Sequence, residues 1–336
     1  MSADGYVVVV IGAGSEVGRE VAAVLRERGF PIRDWRLYDD APEDLVDENE
    51  SGAEIFALGD VDFEAADVVF LCTAAALAAE WVGRATSAGA LVIDLTHTLA
   101  EAADAPLIVP EVNPEAVAEA IELGVIACPI PNATALAVLL KPLDVVAELK
   151  RVVVTSFEPV SNTGRPGIDE LAQQTRDLLS GTSPEGSVFP QRIAFNLIPQ
   201  VGDFVSGGRT RGEWLLESQI RRLLDLPDLP ITVTSVYVPV FFGQTCSVNV
   251  ETERPLDAAA ARQLLRQAPG LLVAEGDDGY PTLADVVGSE ATHVGRVRDD
   301  PTVPFGLAAW TAIDGLRKGA AVNAVQIAEL ALRERG

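Results

Sequence analysis

The stretch that most constrains this chain is its opening strand and turn, "YVVVVIGAGSEVG", at residues 6–18. Six apolar residues without a polar interruption are typical of a strand that is buried on both faces of a parallel sheet. A glycine-rich turn follows, and residues 15–28 then carry apolar side chains at helical spacing, with Gly29 as a stop. Strand, glycine turn and helix in this order predict the beginning of a Rossmann-type α/β domain.

The glycine turn predicts a dinucleotide site, because the N–H groups at a helix start attract a pyrophosphate. The cofactor contacts expected in this turn are Gly12, Gly14, Ser15, Val17 and Gly18. Asp39 ends the second predicted strand, where an acid binds a ribose 2′-hydroxyl and repels a 2′-phosphate, which favours NAD over NADP. The spacing departs from G-x-G-x-x-G, and Glu16 competes with phosphate for the helix start. The alternative is therefore a tight turn that binds no nucleotide.

The rest of the first 130 residues alternates strands with helices. Further strands are predicted at 34–39, 66–72 and 89–95, with a crossover helix at 75–88. This βαβ rhythm implies a doubly wound parallel sheet.

The strand pattern changes in the middle of the chain. Residues 150–160, 231–242 and 246–253 form longer and more alternating segments. Such strands suit an open mixed or antiparallel sheet with one covered face. Amphipathic helices at 168–179 and 211–224 are expected to cover that face.

Two domains follow from this change of pattern. We expect a Rossmann-type domain over residues 1–130 and an α+β domain over residues 131–315. The amphipathic C-terminal helix at 316–336 should pack back on the first domain. The fold class is α/β with an added α+β domain.

Charge and hydropathy exclude several classes of partner. The chain of 336 residues carries 25 basic and 50 acidic side chains, a formal charge of −25, and such a surface repels nucleic acid and anionic membranes. Ordinary solubility and a salty cytoplasm both explain this acidity. Apolar runs have strand length, and the N-terminus lacks a secretion signal. We therefore expect a cytoplasmic protein without nucleic-acid or membrane partners.

Cysteine and histidine usage argues against a metal site. The three cysteines, Cys72, Cys128 and Cys246, are scattered along the chain, which indicates a reducing compartment and no metal spacing. The two histidines, His97 and His293, cannot form a histidine metal site alone.

Several longer segments resemble one enzyme family in the correct order. They are "GAGSEVG", "LIVPEVNPE" (107–115), "PNATA" (131–135), "IAFNLIPQVGDF" (193–204), "HVGRVRDD" (293–300) and "GLRKGAAVNAVQIAE" (315–329). With them the chain resembles the aspartate-semialdehyde dehydrogenases from end to end. The resemblance implies a cysteine nucleophile, a histidine acid/base, NADP, and a two-fold dimer built by the open sheet. It also implies that the segment around Asn323 lies near the nicotinamide.

The residues that carry the chemistry of that family are replaced here. Ala133 stands at the nucleophile position, in "PNATA", which we interpret as a loop between a strand and an apolar helix. The other replaced positions are Gln244 for the histidine, Tyr237 for the substrate arginine, Glu158 for a glutamine, Ala100 for the phosphate arginine and Leu215 for a lysine. Glu213 is retained. The resemblance is therefore to the Usg-type members of the family, which lack the cysteine.

Three functional hypotheses follow from these replacements. The first is a catalytically degenerate, dimeric scaffold or regulator that pairs with itself or with a true dehydrogenase. The second is a sensor with residual NAD binding. The third is a working NAD(P)-dependent dehydrogenase with a surrogate nucleophile, for which Cys246 is the candidate because it shares a strand face with Gln244. Cys72 and Cys128 are interpreted as core residues, and His97 as a surface or capping residue that could otherwise act as a base.

Overall fold

The computed structural model describes residues 5–41, 54–101, 105–276 and 279–335. The first residues of the segment examined for a secretion signal lie outside these ranges. The chain divides into a first unit of residues 1–130 and 316–336 and a second unit of residues 131–315. Across the described ranges, none of the helices is both long and apolar enough to cross a membrane.

The first unit is built on a six-stranded sheet with the order β3-β2-β1-β4-β5-β6. All of its pairings are parallel, and this strand order is that of a Rossmann fold. Its strands are β1 (Tyr6–Ile11), β2 (Ile32–Asp39), β3 (Ile55–Ala57), β4 (Val68–Leu71), β5 (Leu91–Asp94) and β6 (Val125–Ala127). Its helices are α1 (Glu16–Glu27), α2 (Ala75–Ser87), α3 (Val117–Leu123) and α9 (Asn323–Glu334).

Both faces of this sheet are covered, which explains the uninterrupted apolar run of β1. Val8 and Val10 belong to a core that also includes residues of α1 and α9. Val7 and Val9 belong to a second core that includes Trp81 of α2. Alternate side chains of one strand thus enter two cores, so the strand has no polar face. Helix α9 packs within the first unit.

The second unit is built on a six-stranded sheet with the order β10-β11-β12-β9-β7-β8. The β7–β8 and β10–β11 pairs are parallel and the others antiparallel, so the sheet is mixed. Its strands are β7 (Leu149–Glu158), β8 (Ile231–Tyr237), β9 (Gln244–Thr252), β10 (Leu271–Val273), β11 (Thr292–Asp300) and β12 (Gly306–Ile313). Its helices are α4 (Pro131–Ala147), α5 (Arg165–Leu179), α6 (Arg211–Leu224), α7 (Ala258–Gln267) and α8 (Leu283–Val286).

One face of the second sheet is buried and the other is open. On β7, Val152 and Val154 are buried, whereas Val153 and Thr155 are half-exposed. This alternation matches the pattern expected for a sheet covered on one side. The predicted fold class, a Rossmann-type sheet plus a second domain with an open mixed sheet, is confirmed.

One local prediction was wrong. "PNATA" is not a loop, because helix α4 begins at Pro131 and runs to Ala147. Proline fits the first turn of a helix, where its missing N–H is not needed. Residues 132–140, most of them apolar, are all buried, so packing extends the helix back to the proline. Ala133 therefore lies in the first turn of a helix.

Candidate functional site

The glycine turn of the first unit is held by close backbone packing. Gly12 has a φ of +84°, and a Cβ there would lie 2.5 Å from the carbonyl oxygen of Cys72. A Cβ on Gly18 would lie 2.1 Å from the carbonyl oxygen of Gly12. Ser15 caps α1, since its Oγ accepts a hydrogen bond from the Gly18 N–H at 2.9 Å. Only glycine fits at positions 12 and 18.

Asp39 lies directly against this turn. Its Oδ2 accepts a hydrogen bond from the Gly14 N–H at 2.8 Å, and its Oδ1 accepts one from the Asp40 N–H at 2.9 Å. Burial, followed by the neighbouring Asp40 side chain, raises the pKa of Asp39. The structure thus brings the glycine turn, including half-buried Val17, together with the acid that ends β2.

Asn323 is a fully buried residue at the start of α9, also in the first unit. Its Nδ2 donates to the carbonyl oxygen of Ile108 at 3.1 Å. Its Oδ1 has no hydrogen-bond partner among the described residues. A buried acceptor without a partner is expected to have one in the functional state, and the amide group of a nicotinamide supplies a suitable donor. These residues therefore fit a dinucleotide.

The loop after β5 is organised by a fully buried aspartate. Asp94 accepts hydrogen bonds from the Thr96 N–H, the Thr96 hydroxyl and the Leu99 N–H at 2.9, 2.6 and 2.9 Å. Ala100, at the predicted phosphate position, is buried and offers an anion no side-chain donor. His97 has a φ of +62°, and its Nδ1 lies 3.3 Å from the Cys128 carbonyl oxygen.

The three cysteines and His97 are poorly placed for acid–base or nucleophilic work. Cys72, Cys128 and Cys246 are free and buried, and burial raises the pKa of each thiol. Burial also lowers the pKa of His97. A thiol with a raised pKa carries little thiolate at neutral pH, and the thiolate is the nucleophile.

Ala133 lies in the second unit, fully buried between Asn132 and Thr134. Its methyl group has no chemistry, but its neighbour Asn132 joins a hydrogen-bonded chain of side chains. Asn132 Nδ2 donates to Glu158 Oε1 at 2.7 Å, and Asn162 Nδ2 donates to Glu158 Oε2 at 2.8 Å. Both carboxylate oxygens of Glu158 are therefore bound by neutral amides.

The chain of hydrogen bonds continues beyond the two asparagines to Gln244 on one side and Cys246 on the other. Gln244 Nε2 donates to Asn162 Oδ1 at 2.8 Å, and the Cys246 thiol donates to Asn132 Oδ1 at 3.4 Å. The order is thus Gln244, Asn162, Glu158, Asn132, Cys246, which we call the amide network. Glutamine and asparagine side chains do not exchange protons near neutral pH. Glu158 and Cys246 are the titratable members of the network.

Burial sets the ionisation of this site. Burial raises the pKa of Glu158, although hydrogen bonds from Ser156, Asn132 and Asn162 oppose the shift. Burial, followed by the charge of Glu158, raises the pKa of Cys246 well above its usual range. The same two causes raise the pKa of Tyr237 to about 12. A nearby carboxylate disfavours every anion that forms here.

The remaining predicted positions have structural contacts. Tyr237 packs edge-on against Phe189, with ring centroids 5.1 Å apart. Glu213 forms a capping box with Thr210 at the start of α6, and its Oε1 accepts a hydrogen bond from the Ser235 N–H at 3.1 Å. Leu215, on the same helix, contributes only hydrocarbon. The retained Glu213 thus has a complete structural role.

Sequence reasoning missed two members of the amide network, Asn132 and Asn162. Each lies close in sequence to a replaced position, Asn132 beside Ala133 and Asn162 four residues after Glu158. The available signal was an amide near a position that the family resemblance marks as replaced. Asn132 and Asn162 meet only through Glu158, and Asn132 lies 26 residues from it in the chain, so spacing alone could not find the network.

The open face of the second sheet carries a groove of about 540 Å³. Its lining includes Thr245, Ser247, Tyr280, Arg296, Arg298 and Trp310. The Trp310 ring lies 5.7 Å from that of Phe157, measured between centroids. Arg296 has a φ of +50° at an irregularity in the β11–β12 register, which brings both arginines to the groove. Aromatic and cationic groups therefore meet on this face.

Comparison with known proteins assigns both halves of the chain. Residues 7–120 match the family "Semialdehyde dehydrogenase, NAD binding domain", and residues 140–318 match "Semialdehyde dehydrogenase, dimerisation domain". The aspartate-semialdehyde dehydrogenase of Shewanella violacea is 35% identical over 332 residues, covering 97% of this chain and 98% of that protein. A USG-1 protein homolog of Azotobacter vinelandii is 35% identical over 329 residues, with coverages of 97% and 98%.

The crystal structure of aspartate-semialdehyde dehydrogenase II from Vibrio cholerae superimposes with a TM-score of 0.92 at 35% identity. The match covers 99% of this chain and 100% of that one. Sequence, both domain families and fold agree over nearly the full length. The chain belongs to the aspartate-semialdehyde dehydrogenase family.

Proposed function

We propose that this chain is a catalytically silent, Usg-type member of its family. The observation that carries the proposal is the amide network, whose member Asn132 directly precedes the fully buried Ala133 in the chain. Covalent catalysis on an acyl group needs a thiolate and a partner that moves its proton. At the positions assigned by resemblance, the chain has a methyl group and Gln244 instead. Glu158 adds a carboxyl group where the family binds an anionic substrate.

Residual NAD binding is the second part of the proposal. The first unit is the cofactor domain, and the residues that would hold the dinucleotide are Gly12, Gly14, Ser15, Val17, Gly18, Asp39 and Asn323. Asp39 supports a preference for NAD, because a carboxylate at the end of β2 repels a 2′-phosphate. When bound, the nicotinamide supplies a hydride acceptor or donor. This chain's own residues contribute binding and orientation.

Homodimer formation is the third part. The second unit is the dimerisation domain, and the open face of its sheet leaves the groove around Trp310 uncovered in a single chain. Half-exposed apolar side chains on a sheet face favour a partner. A second copy carries many carboxylates, since the chain has 50 acidic residues, and these suit Arg296 and Arg298. We place the protein in the cytoplasm.

The alternative function is a working NAD(P)-dependent semialdehyde dehydrogenase that uses Cys246. Family membership and the place of Cys246 in the amide network favour it. Its complete burial and raised pKa argue against it. Cys246→Ser separates the two readings, because it removes the only titratable sulfur of the network.

The test is a paired assay on the purified full chain. We would follow NAD(P)H formation with aspartate semialdehyde and phosphate, and titrate NAD and NADP by calorimetry. We expect no turnover above a protein-free control and weak binding that is tighter for NAD. Turnover that disappears in Cys246→Ser would establish the alternative. A dimer measured by ultracentrifugation would support the scaffold, and a complex only with an authentic dehydrogenase would replace the homodimer.

A further inference from the structure

Lys318 is a lysine with no exposed surface, and it lies in the first unit. Its Nζ donates to Glu111 Oε1 at 2.5 Å and to Gln326 Oε1 at 3.0 Å. Gln326 Nε2 also donates to Glu111 Oε1, at 3.3 Å. The three side chains therefore close a triangle, which we call the lysine triangle. Removing an ammonium group from water is unfavourable unless a partner compensates it.

The lysine triangle joins two segments of the chain. Glu111 belongs to the turn that follows Ile108, and Lys318 and Gln326 flank the start of α9. The backbone between them makes a π-helical turn over Arg317–Val322 before α9 begins at Asn323. Such turns insert an extra residue and often occur at functional sites. The extra residue sets which side chain begins the following helix.

Asn323 is joined to the same segment as Lys318. Its Nδ2 donates to the carbonyl oxygen of Ile108, three residues before Glu111. Two contacts thus hold the start of α9 against residues 108–111. One is the ion pair of Lys318 with Glu111, and the other is the hydrogen bond of Asn323 with Ile108. The hydrogen bond to Ile108 uses Asn323 Nδ2, and Oδ1 is left without a partner among the described residues. Lys318 lies five residues before Asn323 and Gln326 three residues after it, so the ion pair and the hydrogen bond act on the same short segment.

We infer that Lys318 is a positioning residue for the nicotinamide end of the cofactor site, acting through Asn323 at the junction of the π-helical turn and α9. The inference rests on the NAD binding proposed above. An apolar pair of similar volume usually stabilises a fold as well as a buried ion pair. The lysine triangle is therefore better explained by the geometry that it enforces than by stability.

The experiment compares two variants of the full chain. Lys318→Met/Glu111→Leu removes both charges together, so no unpaired charge is left buried. Glu329→Gln is the matched control, because Glu329 lies on the same helix and pairs with Arg28 at 2.9 Å. Calorimetry measures the binding of NAD and of ADP-ribose, which lacks the nicotinamide. Hydrogen exchange of the ligand-free protein measures protection over residues 317–326.

We expect the double variant to bind NAD about tenfold more weakly, a loss of one tightly placed hydrogen bond, and ADP-ribose as well as wild type does. Exchange over residues 317–326 should accelerate, while α1 keeps its protection. Glu329→Gln should change neither readout. Equal losses for NAD and ADP-ribose, or an unchanged exchange pattern, would overturn the inference.

The outcome also separates this inference from the proposed function. A wild-type chain that binds neither NAD nor ADP-ribose would end the proposal of cofactor binding. The exchange data would then decide alone whether Lys318 fixes the position of Asn323. Faster exchange confined to residues 317–326 would support that role, and unchanged exchange would refute it.

Discussion

Replacing Asn132 by alanine tests whether Glu158 is a buried carboxyl group held by the amide network. The side chain of Asn132 is 2% exposed, and its Nδ2 lies 2.7 Å from Glu158 Oε1. A hydrogen bond to a charged group contributes about 1.5–3 kcal/mol, whereas a bond between neutral groups contributes about 1 kcal/mol. The weak contact with the Cys246 thiol adds little. We expect Asn132→Ala to lower the free energy of unfolding by about 2–3 kcal/mol where Glu158 is ionised.

The loss should depend on pH. Because the pKa of Glu158 is raised in the folded protein, its contribution to stability is fully present below the unfolded pKa and is lost as pH rises through the folded pKa. Asn132 opposes that shift, so its removal raises the folded pKa further and deepens the loss on the alkaline side. The effect of Asn132→Ala should therefore approach about 1 kcal/mol at low pH and grow as pH rises.

Urea denaturation at a series of pH values, from below the ordinary glutamate pKa of about 4.3 to the alkaline side, measures this. One protein concentration is used throughout because dimerisation adds to stability. In a Glu158→Gln background the effect of Asn132→Ala should fall to about 1 kcal/mol and lose its pH dependence. Asn249→Ala is the matched control, because Asn249 donates to Asp300, whose pKa is lowered by hydrogen bonds. The same loss at every pH, or an undiminished loss in the Glu158→Gln background, would show that Asn132 does not bind an ionised Glu158.

Three other substitutions test the glycine turn, the choice of cofactor and the dimer interface. Gly12→Ala should destabilise by more than about 2 kcal/mol, because a left-handed backbone and a contact with a carbonyl oxygen both oppose a Cβ; a loss within about 0.5 kcal/mol in urea denaturation would contradict this. Asp39→Ser should bring the affinities for NAD and NADP together by calorimetry, and an unchanged ratio would remove Asp39 from cofactor choice. Trp310→Glu should shift the protein toward monomer in ultracentrifugation, and an unaltered dimer would place the interface elsewhere.

The fold was largely predictable because its signals are local. A continuous apolar run such as residues 6–11 indicates that both faces of a strand are buried. The alternation of buried and half-exposed side chains on β7 indicates that one face is open. The error at "PNATA" arose because asparagine and proline usually mark loops. Burial of the following apolar residues overrode that preference and extended α4 to Pro131.

The candidate site was less predictable because its contacts are distant in sequence. Resemblance located Ala133, Glu158 and Gln244 as replaced positions, but it could not show what fills the space. Asn132 and Glu158 are 26 residues apart, and Gln244 and Asn162 are 82 apart. Their hydrogen bonds depend on how α4 and β9 pack around β7. The spacing of apolar and polar residues in the sequence does not predict hydrogen bonds between side chains so far apart.

The amide network gives Glu158 and Gln244, two of the positions that the resemblance marks as replaced, a common structural role. Glu158 needs two donors once it is buried, and Asn132 and Asn162 supply them. Gln244 in turn donates to Asn162, so the amide at position 244 supports one of the two donors that bind Glu158. Burial, followed by the charge of that carboxyl group, already raises the pKa of the neighbouring Cys246. Ala133 is fully buried as well, so we expect a cysteine placed there to be a thiol of raised pKa rather than a thiolate. The hydrogen bonds that hold Glu158 thus belong to a site in which a thiolate is unfavourable.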